Sequence, residues 1–161
     1  MRVSNEPRFD LTPVLVGISN PWSKNPEHVL APMPDRPHCS GSRLLRIIQS
    51  YKPSYTREKF LADFPDRVNL ESVGLSVLSL YDKPRNIVVF GRDTFVALTR
   101  DRATVERMVF ALKETPPSFM VCMTSHGHGL YMLPHPSGLN RWYNNKKKMK
   151  AVGSFLLQLV P

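Results

Sequence analysis

Apolar and polar positions along the chain fall into two alternating rhythms. Pro13 to Ile18 (PVLVGI) is a continuous apolar run rich in β-branched residues, which predicts a buried strand. Arg67 to Leu70 (RVNL) predicts a short second strand, Asn86 to Phe90 and Gly129 to Leu133 are further short runs that predict two more, and Ser118 to Met123 is a possible fifth. Between them the spacing becomes helical. Leu44, Leu45, Ile47 and Ile48 predict a helix over Ser40 to Ser50, with Ser40 or Ser42 as its cap. Val105, Met108, Val109 and Leu112 share one face of a helix over Asp101 to Lys113. Weaker patterns predict helices over Arg57 to Asp63, Ser72 to Tyr81 and Asp93 to Thr99, and a closing helix over Trp142 to Leu159. No internal repeat interrupts this order. Strands alternating with helices imply an α/β chain: a three-layer α/β/α sandwich around a short, mostly parallel sheet, with residues 1–161 forming a single domain. Ligands of such sheets bind beyond the carboxyl ends of the strands. Four such ends carry the unusual residues: Ser19-Asn20-Pro21-Trp22, Asn69, Gly91-Arg92 and His135-Pro136-Ser137-Gly138.

Composition narrows the class. The 161 residues are 42% hydrophobic, enough for a core. Pro is 15 and Gly only 8, and five prolines (Pro21, Pro26, Pro32, Pro34, Pro37) fall in the loop between Asn20 and Pro37, which predicts an ordered rather than a slack connection. No run is long enough to span a membrane, and the first ten residues lack the apolar centre of a secretory signal, so a soluble, intracellular chain is expected. Cys39 and Cys122 are too few for a disulfide scaffold, a four-thiolate zinc site or an all-cysteine iron–sulfur cluster.

Charge is the strongest compositional signal. Lys plus Arg is 22 against 13 acids, a net charge of +9. From Thr115 to Pro161 there is no acid at all, whereas Arg141, Lys146, Lys147, Lys148 and Lys150 contribute +5. A one-sign segment is a solvated face or the footprint of an anionic partner, and nucleic acid is the commonest such partner. Trp142 and Tyr143 inside the segment favour nucleic acid, since aromatic faces beside cations suit its bases.

Several chemistries are disfavoured. Neither a phosphate-binding Gly-x-x-x-x-Gly-Lys nor a dinucleotide-binding Gly-x-Gly-x-x-Gly occurs. Ser125-His126-Gly127-His128 offers two imidazoles but no third ligand, so no metal site is expected, nor any other cofactor. Neither cysteine lies in a nucleophile signature.

The segment His135-Pro136-Ser137-Gly138-Leu139 follows a strand, Gly17-Ile18-Ser19-Asn20-Pro21 follows the first strand, and Asn69 ends the second. Taken singly these are ordinary: a histidine between prolines is usually a loop residue, and Asn69 a cap or turn residue. Occurring in this order, they make the chain resemble the uracil-DNA glycosylase superfamily from about Pro13 to Asn145. The last motif mixes the superfamily's His-Pro-Ser-Pro-Leu with the Asn-Pro-Ser-Gly-Leu of its mismatch-specific branch. The first matches that branch's Gly-Ile-Asn-Pro with Ser19 inserted, and Asn86-Ile-Val-Val-Phe-Gly91 looks like its third strand.

The resemblance implies a DNA glycosylase that flips uracil or a modified pyrimidine out of the duplex or single strand and hydrolyses its glycosidic bond. His135 would stabilise the charge on the departing base. Asn69 would read the base edge with an amide that both donates and accepts. Asn20 would orient water, since an amide cannot act as a base, although Ser19 competes for that place. Trp22 stands where some branches carry a tyrosine that walls off thymine, and the aromatic that stacks on the base is either Trp22 or His28. Leu139 would wedge into the gap the base leaves. Ser137 and Gly138 would let the backbone approach a phosphate, Asn140 and Arg141 would hold neighbouring phosphates, and Lys146, Lys147 and Lys148 would extend the contact. The expected enzyme is monofunctional and metal-free and acts as a monomer on DNA. The competing reading is a non-catalytic DNA-binding or modified-DNA-sensing module on the same fold, favoured by the amide where other branches carry Asp. An enzyme of free nucleosides or nucleotides is a weaker third, because a small substrate needs no basic footprint.

Overall fold

In the computed structural model, residues 12–137 and 140–161 are described. Five strands form one sheet in the order β2-β1-β3-β5-β4. They are β1 (Val14–Gly17), β2 (Asp66–Asn69), β3 (Asn86–Phe90), β4 (Val121–Met123) and β5 (Gly129–Leu133). The first four in spatial order are parallel, and only β4 runs antiparallel, against β5. The helices are α1 (Ser40–Tyr51), α2 (Arg57–Asp63), α3 (Leu70–Val73), α4 (Arg92–Thr99), α5 (Arg102–Leu112) and α6 (Lys146–Gln158).

Both faces of the central strands are covered, which is why their sequences read as unbroken apolar runs. Leu15, Val88, Phe90 and Leu133 point to one side and pack with Leu44, Ile47 and Ile48 of α1, Phe60 of α2, and Val152, Phe155 and Leu156 of α6. Val14, Val16, Ile87, Val89, Leu130 and Met132 point to the other side, toward Phe95 of α4 and Val105, Met108 and Leu112 of α5. The result is the expected α/β sandwich with a short, mostly parallel sheet. Among the described residues no helix is long and apolar enough to cross a membrane.

Three elements differ from the pattern-based expectation. The helix expected over Ser72 to Tyr81 is instead the single turn of α3 followed by a 3-10 stretch over Leu75–Leu80. Gly74 divides them at φ +73°, a conformation only glycine adopts freely. The closing helix does not start at Trp142. A 3-10 turn covers Arg141–Asn144, and α6 begins only after Asn145, whose side chain accepts from the Lys148 N–H and so caps it. The fifth strand is confined to Val121–Met123, and its Val121 and Met123 are exposed at the sheet edge.

The proline-rich loop is ordered, and cationic and hydroxyl side chains pin it by its backbone. Arg67 donates from Nε to the Val29 carbonyl and from Nη2 to Glu27, both at 2.9 Å. Arg57 reaches Pro32 O at 2.7 Å. Ser42 Oγ lies 3.1 and 2.9 Å from the carbonyls of Met33 and Arg36, which share its single proton, and accepts the Met33 N–H at 3.0 Å. Gly41 completes the junction: a Cβ there would meet the Ala31 backbone at 2.1 Å, so no other residue fits without moving the chain.

Candidate functional site

Parallel pairing brings the carboxyl ends of β1, β2 and β5 to one end of the sheet. Gly17 pairs with Asn69 in register, and Phe90 of β3 pairs with Leu133 of β5. The chain leaving each end carries one of the residues singled out above, and they meet. Asn20, Trp22, Asn69, His135 and Ser137 all line one cavity of about 210 Å³. Ser19 lines it too, but Ser19 is exposed whereas Asn20 is half-buried. The Asn20 amide nitrogen is buried and has no hydrogen-bond partner among the described residues. It is a donor on a cavity-lining residue without an acceptor among the described residues.

His135 is set by its neighbours. Its Nδ1 accepts the Ser137 N–H at 3.1 Å, which leaves the proton of the neutral ring on Nε2. Burial pushes the ring's pKa below the ordinary 6.5, so the neutral donor form dominates at neutral pH. Gly91, at φ +98° at the end of β3, packs against the His135 ring. His135 also lines a second, larger cavity of about 590 Å³ with Phe90, Met132 and Trp142. The Trp142 Nε1 is buried without a partner among the described residues.

Asn69 has two functions in one side chain. Its Oδ1 accepts the Ser72 N–H at 2.9 Å and caps α3, as the ordinary reading of a lone Asn holds. Its Nδ2 makes no hydrogen bond among the described residues, so Asn69, a lining residue of the cavity, offers a base edge a donor more readily than an acceptor. Trp22 stacks on His28 with ring centroids 5.3 Å apart, and the Arg36 guanidinium lies 4.5 Å from the Trp22 centroid. Both candidate stacking rings therefore line the same wall as a preformed pair. His28 is itself held by Ser23 Oγ at 2.8 Å from Nδ1.

Of the remaining candidates, Asn140 is not free to hold a phosphate with its whole amide. Its Nδ2 donates to the His135 carbonyl at 2.8 Å and its Oδ1 accepts the Trp142 N–H at 3.1 Å, so the side chain braces the loop. Arg141, Lys146 and Lys147 are exposed; Lys148 lies over the Trp142 ring at 5.3 Å. None of the three lysines lines the cavity. Gly138 and Leu139 lie outside the described residues.

Three features belong to no motif in the sequence. His38 and Cys39 add an imidazole and a thiol to the cavity wall. Leu30, another wall residue, adopts φ +51°, a strained backbone for a branched side chain beside the site. Arg43 of α1 donates to the carbonyls of Ser137 and Asn140. Only the local excess of basic residues around Arg36, Arg43 and Arg46 hinted at the last. No carboxylate is found among the described residues lining the cavity. Comparison with protein-family models, with curated proteins and with solved structures returned no match to this chain.

Proposed function

We propose that the protein is a monofunctional DNA glycosylase that hydrolyses the bond between deoxyribose and uracil or a modified pyrimidine. The observation that carries this reading is the His135 imidazole: half-buried, its surroundings favouring the neutral form with the proton on Nε2, and sharing a cavity with Asn20 and Asn69. Cleavage of the C1′–N1 bond sends its electron pair to the base, and the charge gathers on the base oxygens. A preorganised neutral N–H beside such an oxygen stabilises that charge by ~3 kcal/mol or more in a dry site. The Asn69 Nδ2 offers a second donor to the base edge. Water adds its oxygen to C1′ and its proton passes to the base anion that leaves; Asn20 orients that water and, being an amide, does not take the proton. The bond-breaking step thus depends on leaving-group stabilisation more than on base strength, which fits a slow enzyme.

A cavity with no carboxylate among its described lining residues favours one other reading, a module that binds or senses modified DNA without turnover. One assay separates the two. Single- and double-stranded oligonucleotides carrying uracil or a modified pyrimidine are incubated with the protein and then cleaved at abasic sites with alkali. The glycosylase reading expects strand scission for the native protein and at least a hundredfold less for His135→Ala. Binding that survives in both, with no scission from either, selects the sensing module.

A further inference from the structure

The loop that carries His135 is held from behind by backbone carbonyls. Tyr143 Oη donates to Pro134 O at 2.7 Å, and Asn140 Nδ2 to His135 O at 2.8 Å. The Arg43 guanidinium takes the next two: Nη1 donates to Ser137 O, and Nη2 to Asn140 O at 3.2 Å. These two carbonyls flank residues 138–139 in the chain. One rigid fork therefore joins the carbonyls of Ser137 and Asn140. Its mount is firm, because the neighbouring Leu44, Ile47 and Ile48 of α1 are fully buried. Its plane lies over the Tyr143 ring, 5.8 Å from the centroid, so the two anchors also brace each other. Among the described residues no carboxylate pairs with Arg43, and its hydrogen bonds there go to the loop.

We propose that Arg43 is a positioning residue for His135; this rests on the glycosylase reading for its kinetic consequence but not for its structural one. The chain of action is short. Arg43 fixes the peptide that follows Ser137 through its carbonyl, and Asn140 Nδ2 fixes the peptide that follows His135 in the same way. The Pro136–Ser137 peptide between these two anchors is thereby held, and its N–H, the Ser137 N–H, meets Nδ1 of His135 and sets where Nε2–H points. Asn140 N–H closes the turn onto the same Ser137 carbonyl at 3.1 Å, so loss of the fork leaves that oxygen with one donor instead of two. A lysine cannot replace the fork, since a single ammonium on a flexible stem cannot hold two carbonyls in a fixed plane.

The test compares the native protein with Arg43→Lys, Arg43→Gln and Arg43→Ala, all checked for folding by thermal melting. In single-turnover excision of uracil from an oligonucleotide, the three variants are expected to lose about tenfold to a hundredfold in rate, the cost of a misplaced catalytic group, with DNA affinity nearly unchanged. The acid limb of the pH–rate profile shifts, and methylguanidinium added to Arg43→Ala restores part of the rate. Independently of activity, ¹⁵N NMR of the His135 ring is expected to report the Nε2–H tautomer in the native protein and a mixture in Arg43→Gln. A merely structural clip would lower melting temperature and active fraction but leave the acid limb and the tautomer alone, and that result would overturn the proposal. A native protein that excises nothing would end the glycosylase reading, while the ring tautomer would still decide the role of Arg43. If Arg43→Gln does not fold, Arg43→Lys and Tyr143→Phe, which loosens the same loop at Pro134, carry the NMR comparison.

Discussion

A histidine useful as a neutral donor must lose the ability to take up a proton at working pH, and two local facts arrange this for His135. Burial disfavours its charged form, and Nδ1 already accepts the Ser137 N–H. Protonation would place a second N–H against that donor. Because the folded pKa lies below 6.5, excision is expected to be flat above about pH 6.5 and to fall as pH drops through the folded value. A limb centred above 6.5 in the pH–rate profile would contradict this assignment; in His135→Ala the limb should vanish along with a factor of about a hundred or more in kcat. The second imidazole of note, His128, has the same tautomer for a different purpose. It is fully buried, its Nδ1 accepts the Arg85 N–H at 3.0 Å, and its Nε2–H donates to Leu78 O at 3.1 Å. With both nitrogens engaged inside the protein, it is a structural tie at the opposite, amino-terminal end of β5. Its folded pKa is also depressed, mainly by burial. Below pH 6.5 the unfolded chain therefore takes up protons that the folded one refuses, and stability present in full above about 6.5 declines as pH falls beneath it. His128→Ala orphans one donor and one acceptor and should cost about 3 kcal/mol or more, read from the urea midpoint at pH 7.5.

Elements with an unbroken chemical reason were legible in the sequence, and those decided by a single backbone position were not. β3 and β5 emerged with their predicted bounds because β-branched and large apolar residues fill them to the last position and Gly91 and Pro134 end them. The same holds for α2, whose cap Thr56 accepts the Lys59 N–H at 3.1 Å. In the stretch from Ser72 to Tyr81 the apolar spacing continued through Gly74, which breaks the helix through its φ rather than its hydropathy. In the closing segment Asn145 caps α6, but from sequence an asparagine beside three lysines reads equally as a polar helix residue. The three site residues from separate strand ends were legible because strand ends converge in this class of sheet. Arg43 was not, because its partners lie 94 and 97 residues away and are backbone atoms with no residue signature. Gly153 of α6 belongs to this hidden class as well. Alanine in an exposed helix interior would gain about 1 kcal/mol in propensity. Here its Cβ would stand 2.5 Å from Ile47 O and 3.2 Å from the Ile48 Cα, and backbone cannot move aside as a side-chain tip can. Overpacking costs typically 1–3 kcal/mol, so Gly153→Ala should destabilise by about 1 kcal/mol net, and a stabilised variant in chemical denaturation would refute the close α1–α6 approach.

Over the molecule as a whole, the charge is placed where it works against the fold. Lys146, Lys147 and Lys148 occupy the first turn of α6, which contains no acid. The amino-terminal end of a helix carries partial positive charge, so cations there are unfavourable by roughly 0.3–1 kcal/mol each at low salt. They also repel one another across a single turn. The helix tolerates this because its Val152, Phe155 and Leu156 are locked into the core and Asn145 caps its end. An arrangement that weakens the folded state and sits a few residues past the His135 loop fits a surface whose counter-charge arrives with the ligand. The glycosylase and sensing readings share this requirement, since both need phosphates beside the cavity. Lys148 is partly committed, its ammonium lying over the Trp142 ring, so the test falls on the two exposed members. Lys146→Gln/Lys147→Gln should be more stable than the native protein by about 0.5–1 kcal/mol in low-salt urea unfolding. The same variant should bind oligonucleotide more weakly, and the slope of log K against log salt should flatten by about 1.5, close to the loss of two phosphate contacts. The two effects have opposite signs from one pair of substitutions. A variant that loses stability, or that binds with an unchanged salt slope, would place the phosphate path elsewhere on this basic chain.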